Sequence, residues 1–274
     1  ALDREPDRLH LDLYRRQGRG TDRMFLKIFR KQDAIDLSDL LPMLENMGMK
    51  VIAERPYELE FPAGHRAWIQ DLEIELRAKP AIRFDRLEAE FKSAFTAVWS
   101  GVTDNDSLNQ LTLSAGLPWR EVVILRAYTR FLLQTGLPFS QGYMAQVLQN
   151  HSGVVRLLGE LFKARFAPGP SRPARQAACK RLDVRIRSQL AAVTRSDEDR
   201  ILRGFWNAMR ATVRTNAFQP DSQGQPKDYV SFKIESQKLP ELPLPRPMFE
   251  IFVFSSRMEG VHLRMGRVAR GGIR

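Results

Sequence analysis

The chain has 274 residues, 43% of them hydrophobic, with 43 Lys and Arg against 32 Asp and Glu and a formal net charge of +11. That length and apolar content suffice to bury more than one core, no stretch of apolar residues is long enough for a membrane span, and the single cysteine, Cys179, excludes an intrachain disulfide or a cysteine-rich zinc site. The basic excess raises nucleic acid or an anionic membrane as a partner, yet much of it is local, because residues 172–214 hold eleven basic and four acidic side chains.

In chain order, Leu9, Leu11 and Leu13 alternate with polar neighbours, and Met24, Leu26 and Ile28 alternate with Phe25, Lys27 and Phe29. This predicts two strands around a Gly18-Arg19-Gly20 turn. Ser38 is expected as an N-cap and Gly48 as the residue ending the helix. Leu40, Leu41, Leu44 and Met47 share one face between them, and Pro42 falls in the first turn. Two more strands follow, residues 50–59 and 66–76, separated by a Pro62-Ala63-Gly64 turn. Strand, helix, strand and strand with short connections predict an antiparallel sheet carrying a helix on one face.

From Arg83 to Phe218 the spacing becomes helical. Phe84, Leu87, Phe91, Phe95 and Val98 form an apolar stripe ended by Gly101, and a short helix is expected over 107–115. Pro118 opens a helix whose stripe of Val122, Leu125, Tyr128, Phe131 and Leu132 runs to Gly136. Ser140 caps the next, which continues through Val154, Leu157, Leu158, Leu161 and Phe162. Residues 167–175 read as a Pro/Gly hinge. Ala178, Leu182, Ile186 and Leu190 then recur every four residues. A further helix starts at Ser196, with Asp197, Glu198 and Asp199 at its positive end and Ile201, Phe205, Met209 and Val213 along its stripe. An all-helical bundle is expected here. Beyond it come a polar loop (219–228), a strand (229–235) and a proline-rich extended connector (239–247). Phe249, Ile251 and Val253 alternate with Glu250, Phe252 and Phe254, which predicts a core strand. Val261, Leu263 and Met265 predict a second strand, turning at Met265-Gly266 into Arg267, Val268 and Ala269.

Several chemical templates fail on spacing. His10, His65, His151 and His262 stand far apart with no carboxylate at ligand spacing, so no metal is expected. Asp104-Asn105-Asp106 begins like a calcium loop, but Asn109 and Ala115 occupy the positions that need Gly and Glu, so it reads as a helix-start turn. Gly18-Arg19-Gly20 lacks the third glycine of a dinucleotide fingerprint. Arg203, Arg210 and Arg214 are expected on one side of the Ser196 helix, as a solvated face or as partners of Glu250 or Glu259. A nucleic-acid role would need an aromatic stacking platform beside them, and none accompanies them, so nucleic acid is not expected.

The last residues are the most distinctive. Arg270 precedes paired glycines, Gly271 and Gly272, which let a ligand approach the main chain closely, and a guanidinium is suited to carboxylate or phosphate. An anion pocket and a solvated basic turn are both compatible with these residues alone. The whole string EIFVFSSRMEGVHLRMGRVARGGIR, however, closely resembles the opening of the catalytic region of the large NAD-dependent glutamate dehydrogenases. LSDLLPMLENMGMKVIAERPYEL (37–59), PWREVVILRAYTRFLLQ (118–134) and SDEDRILRGFWNAMRATVRTNAF (196–218) resemble blocks of the same family, in the same order.

The resemblance implies an α+β fragment of a longer enzyme. Residues 1–80 would be an ACT-like module (strand-helix-strand-strand-helix-strand), 81–218 an all-helical bundle, and 219–274 the β-hairpin start of a catalytic domain. It implies oxidative deamination of glutamate to 2-oxoglutarate with NAD, whose binding site would lie outside this chain. Arg270, standing where smaller relatives have a lysine, would hold a substrate carboxylate, and Gly271 and Gly272 would carry the substrate's backbone contacts. No catalytic residue, cofactor-binding residue or metal ligand is assigned to this stretch, which is expected to be inactive alone. The remainder of the same polypeptide, a homo-oligomeric assembly and a cytoplasmic location are expected. The alternatives are a regulatory or scaffolding segment with an amino-acid effector site, and a basic nucleic-acid-binding module.

Overall fold

The computed structural model describes residues 9–15, 23–31, 33–61, 64, 66–78, 82–240, 242–266 and 271–273. The chain folds as two compact units, Ala1–Ser100 with Asn105–Trp119, and Gly101–Asp104 with Arg120–Arg274.

In the first unit, β1 (His10–Tyr14), β2 (Arg23–Lys31), β3 (Met49–Glu60) and β4 (Arg66–Leu76) form an antiparallel sheet in the order β1-β2-β4-β3. Alternation buries one face. Leu13, Leu26 and Leu72 are successive cross-strand neighbours and lie in one core with Leu40 and Leu44 of α1 (Leu37–Asn46). Asp36, rather than Ser38, occupies the N-cap position, its carbonyl accepting from Asp39 and Leu40 N–H at 3.0 Å each. Pro42 therefore sits inside the helix, two residues further from its N-cap than expected. Gly48 ends the helix as expected, at φ 81°.

The stripe on α2 (Phe84–Trp99) also packs on this sheet, through Leu87, Phe91 and Phe95. The physical reason is width. A ten-residue helix covers about 15 Å by 10 Å, whereas four strands lie about 4.8 Å apart and extend further than that in both directions. Thus β2, α1, β3, β4 and α2 follow strand-helix-strand-strand-helix, and the fourth strand comes from upstream, as β1. A 3-10 turn (Ser107–Gln110) and α3 (Leu111–Ser114) complete the unit.

The second unit contains α4 (Trp119–Gln134), α5 (Gln141–Asn150), α6 (Ser152–Phe166), α7 (Arg172–Leu190) and α8 (Ser196–Ala211). Ser140 caps α5 through Tyr143 N–H, and Ser171 caps α7 through Ala174 N–H. The helix expected to run from Ser140 to Phe162 is two helices, because His151 leaves helical geometry at φ −110°, ψ 44°.

The largest departure follows α8. Thr212 is extended (φ −67°, ψ 125°), and the chain passes directly into β5 (Thr212–Thr215). Val213 and Arg214 are therefore strand residues, not helix. The switch has identifiable supports. Thr212 Oγ1 donates to the Ala208 carbonyl at 2.8 Å, and the Arg165 guanidinium caps the carbonyls of Arg210 and Thr212 at 3.0 and 2.8 Å. β6 (Val230–Ile234), β7 (Phe249–Phe254), β8 (Glu259–Arg264) and β9 (Gly271–Ile273) then build a five-stranded antiparallel meander in chain order, with β7 at its centre. A 3-10 turn (Ser236–Lys238) follows β6.

Candidate functional site

The terminal hairpin stands on a sheet whose inner face is bedded on helices of the second unit. Phe232 of β6, opposite Phe252 of β7, is fully buried. Tyr128 of α4 stacks on Phe232 with ring centroids 4.2 Å apart and planes 9° apart, while Phe162 of α6 meets both rings edge-on. Phe131, one turn along α4, packs edge-on against Phe252 at 5.6 Å. The Tyr128 hydroxyl pairs with Thr212 Oγ1 at 2.8 Å. Burial pushes this phenol well above its ordinary range, only partly offset by the Thr212 bond and the nearby Arg165 charge.

On this support β8 pairs with β7, Phe252 lying opposite Val261 and Phe249 opposite Arg264. The Met248 N–H donates to the Arg264 carbonyl at 2.8 Å. β9 adds to the other side of β8, placing Gly271 opposite Arg264, Gly272 opposite Leu263 and Ile273 opposite His262. The two glycines expected at the substrate loop therefore lie in the last strand of the sheet, in register with the strand before it. Arg270 lies outside the described residues, as do Arg267, Val268 and Ala269, which were expected to open the return strand.

Register also fixes what shares a face with Gly271. Arg264 and Phe249 stand in its row, and Ile273, His262, Ile251 and Lys233 form the next. Lys233 Nζ lies 4.1 Å from the centroid of the Phe249 ring. Sequence reasoning did not single out Lys233 or Arg264, because strand pairing alone brings residues this distant in sequence together. Arg130 was also missed. Its Nε donates to Glu259 Oε2 at 2.7 Å and its Nη1 to Gln141 Oε1 at 2.9 Å, tying α4 and α5 to the start of β8.

Glu259 is thus held by Arg130, not by the arginines of α8. Arg203 bonds Asp199 at 2.7 Å, and Arg210 lies 3.8 Å from Asp183 and 4.9 Å from the Trp206 ring centroid. Arg214 sits on β5 opposite Lys233. The Asp104-Asn105-Asp106 triplet acts as a helix-start turn. Asp106 accepts the Leu108 N–H at 3.0 Å, Asn105 accepts from Asn46, and Asp104 lies 3.7 Å from the buried Arg126 guanidinium. Elsewhere, Asp197 at the start of α8 accepts hydrogen bonds from Arg195 and the Tyr143 hydroxyl, which hold its carboxyl far below the usual range and raise the Tyr143 phenol. Among the described residues no helix is long and apolar enough to cross a membrane, and no group of His, Cys, Asp and Glu is arranged to hold a metal ion.

Three family models match the chain in succession. Residues 8–87 match the glutamate dehydrogenase ACT3 domain, residues 103–168 the glutamate dehydrogenase helical motif 3, and residues 185–274 the catalytic domain of bacterial NAD-glutamate dehydrogenase. The NAD-specific glutamate dehydrogenases of Pseudomonas aeruginosa and Halomonas elongata are each 41% identical over 97% of this chain, and that of Mycobacterium tuberculosis is 43% identical over 87%. The chain spans only 16%, 16% and 15% of those proteins' own lengths. With all three models drawn from one enzyme and matched in order, the chain belongs to the bacterial NAD-specific glutamate dehydrogenase family and forms one segment of such a protein.

Proposed function

We propose that this segment carries the first part of the glutamate site of an NAD-dependent glutamate dehydrogenase. The reaction is L-glutamate, NAD and water going to 2-oxoglutarate, ammonium and NADH. The observation that carries this reading is the match of residues 185–274 to the catalytic-domain model, together with the register that holds Gly271 and Gly272 at the end of a helix-supported sheet.

In this reading Arg270 binds a substrate carboxylate through two parallel N–H donors, which orients the α-carbon. Gly271 and Gly272 present main chain that no Cβ screens. NAD supplies the hydride acceptor. Among the described residues no glycine-rich turn leads from a buried strand into a helix N-terminus to cradle its pyrophosphate, so no step here is assigned to a cofactor contact. The ACT-like module, with α2 and α3 in its unit, and the helices α4 to α8 act as regulatory and interdomain structure before the strands β5 to β9, in a cytoplasmic homo-oligomer.

Arg270→Ala in the full-length enzyme tests the assignment. The KM for glutamate is expected to rise at least about tenfold with a smaller change in kcat, and Arg270→Lys to restore only part of it, since a lysine cannot reproduce the fork. Unchanged glutamate saturation in Arg270→Ala would overturn the reading. The 274-residue chain by itself is expected to show no turnover.

A further inference from the structure

The second unit's sheet has a face turned away from α4 and α6, and its central strand is apolar there too. Along β7, Phe252 and Phe254 are buried on the helix-supported side, while Phe249, Ile251 and Val253 alternate with them and are half-buried on the other. An antiparallel strand with one solvated face alternates apolar with polar residues, whereas a nearly continuous apolar run marks a strand covered on both sides.

The neighbours on this open face are small or basic. Ser231 and Gly260 lie opposite Val253, and a Cβ at Gly260 would meet nothing within 4 Å. Arg214, Lys233, Ile251 and His262 form the next row, across β5 to β8. Arg214 and His262 are exposed and Lys233 is half-buried. Arg214 and Lys233 stand directly cross-strand, an arrangement that like-charge repulsion disfavours. Among the described residues neither has a carboxylate at ion-pair distance, and the Lys233 ammonium rests instead 4.1 Å from the centroid of the Phe249 ring. The next acid beyond Lys233 in sequence, Glu235, is taken by Lys238 at 2.6 Å.

We infer that this face is a docking surface for an amphipathic helix from the remainder of the same polypeptide, its apolar ridge seated along β7 and its carboxylates meeting Lys233 and Arg214. As one segment of a far longer protein, the chain has such a partner covalently attached, hence at high effective concentration. Geometry fits a helix. Phe249, Ile251 and Val253 repeat every 6.8 Å or so along an extended strand, close to the roughly 6 Å between residues i and i+4 of a helix. A helix about 10 Å across and centred on β7 covers β6 and β8, each about 4.8 Å away, and leaves β9 with its two glycines uncovered. Charge selects the partner's chemistry. The rows flanking β7 hold no acid, so a second copy docking through the same face would present no counter-charge.

Diethyl pyrocarbonate, which acylates accessible neutral imidazole, reads the face through His262. In the 274-residue chain His262 is expected to react freely. In the full-length enzyme it is expected to react at least about tenfold more slowly, since reaction then requires the cover to open. Zero-length carbodiimide coupling of the full-length enzyme, read by mass spectrometry, is expected to join Lys233 to an Asp or Glu outside residues 1–274. Lys233→Glu in the full-length enzyme sets acid against acid and is expected to raise the His262 rate at least about fivefold. The rate comparison and the coupling use wild-type protein, so they decide the matter even where that variant does not fold. Equal His262 rates in the two wild-type proteins would mean an open face and overturn the inference. So would coupling of Lys233 to residues 1–274 of a second copy, identified by mixing isotope-labelled with unlabelled protein, or unchanged His262 protection in a folded Lys233→Glu enzyme.

Discussion

Replacing Tyr128 separates the two ways in which α4 holds the sheet. Tyr128→Ala removes a fully buried ring stacked 4.2 Å from Phe232 and edge-on to Phe162, leaving a cavity beneath β6. Truncation of a buried aromatic costs about 3–5 kcal/mol. Tyr128→Phe keeps the ring and deletes only the hydroxyl's bond to Thr212. Thr212 Oγ1 still donates to the Ala208 carbonyl at 2.8 Å, so no buried group is orphaned and the cost should be about 1 kcal/mol. Urea unfolding of the second unit, followed by near-ultraviolet circular dichroism, should therefore separate the variants by at least about 2 kcal/mol. Alkali adds an independent readout. Burial raises the folded phenol above its unfolded value near 10, so its contribution to stability is complete below about pH 10 and declines as pH climbs toward the folded pKa. In Tyr128→Phe that share of the alkaline decline disappears. Equal losses in the alanine and phenylalanine variants would refute the primacy of ring packing, as would an alanine variant less than about 1 kcal/mol below wild type.

Two further expectations concern local geometry. Gly48 adopts φ 81°, and a Cβ there would come within 2.8 Å of Gln110 Cγ; Gly48→Ala should destabilise the first unit by about 1–2 kcal/mol in thermal melts, and a loss near zero would contradict the strain. Asp197 has a depressed folded pKa, chiefly through the hydrogen bond from Arg195 and then that from Tyr143. The stability it adds is present above its unfolded pKa near 3.9 and is lost as pH falls through the folded value. Asp197→Asn should flatten the acid limb of the stability profile below about pH 4, and an unchanged slope would show that this cluster does not contribute.

How much of this was legible depended on whether neighbours along the chain or across it decided the outcome. The strands of the first sheet and the apolar stripes of α2, α4 and α8 rest on local periodicity, and they form where the spacing placed them except at Val213, which lies in β5. Helix ends rest on single hydrogen bonds. The caps at Ser140 and Ser171 and the left-handed Gly48 follow local rules, but the choice between Asp36 and Ser38 turned on which carbonyl the first turn used. The end of α8 was invisible because Val213 continues its helical stripe. What stops the helix is Arg165, from 45 residues upstream, on the Arg210 carbonyl, and the back-bond of Thr212. The same limit hid Arg130 and Glu259, which lie 129 residues apart. Periodicity shows that α4 buries Tyr128 and Phe131, but not that their neighbours are Phe232 and Phe252.

These long-range ties explain why a helical region precedes catalytic strands in one folding unit. A five-stranded antiparallel meander has two faces and needs at least one covered to be stable. Here α4 and α6 cover the face bearing Phe232 and Phe252, Arg165 anchors the point where α8 becomes β5, and Arg130 fixes the start of β8. Each of β5 to β8 is thereby positioned by a helix or by a strand that a helix holds. Only β9, with Gly271 and Gly272, depends on a single strand neighbour among the described residues. An edge held in register on one side, with main chain unscreened by side chains at the two glycines, is compatible with the substrate role proposed for Gly271 and Gly272. The helices therefore act on the glycine strand through β8: loosening the Tyr128 or Arg130 contact should loosen the pairing of Gly271 with Arg264.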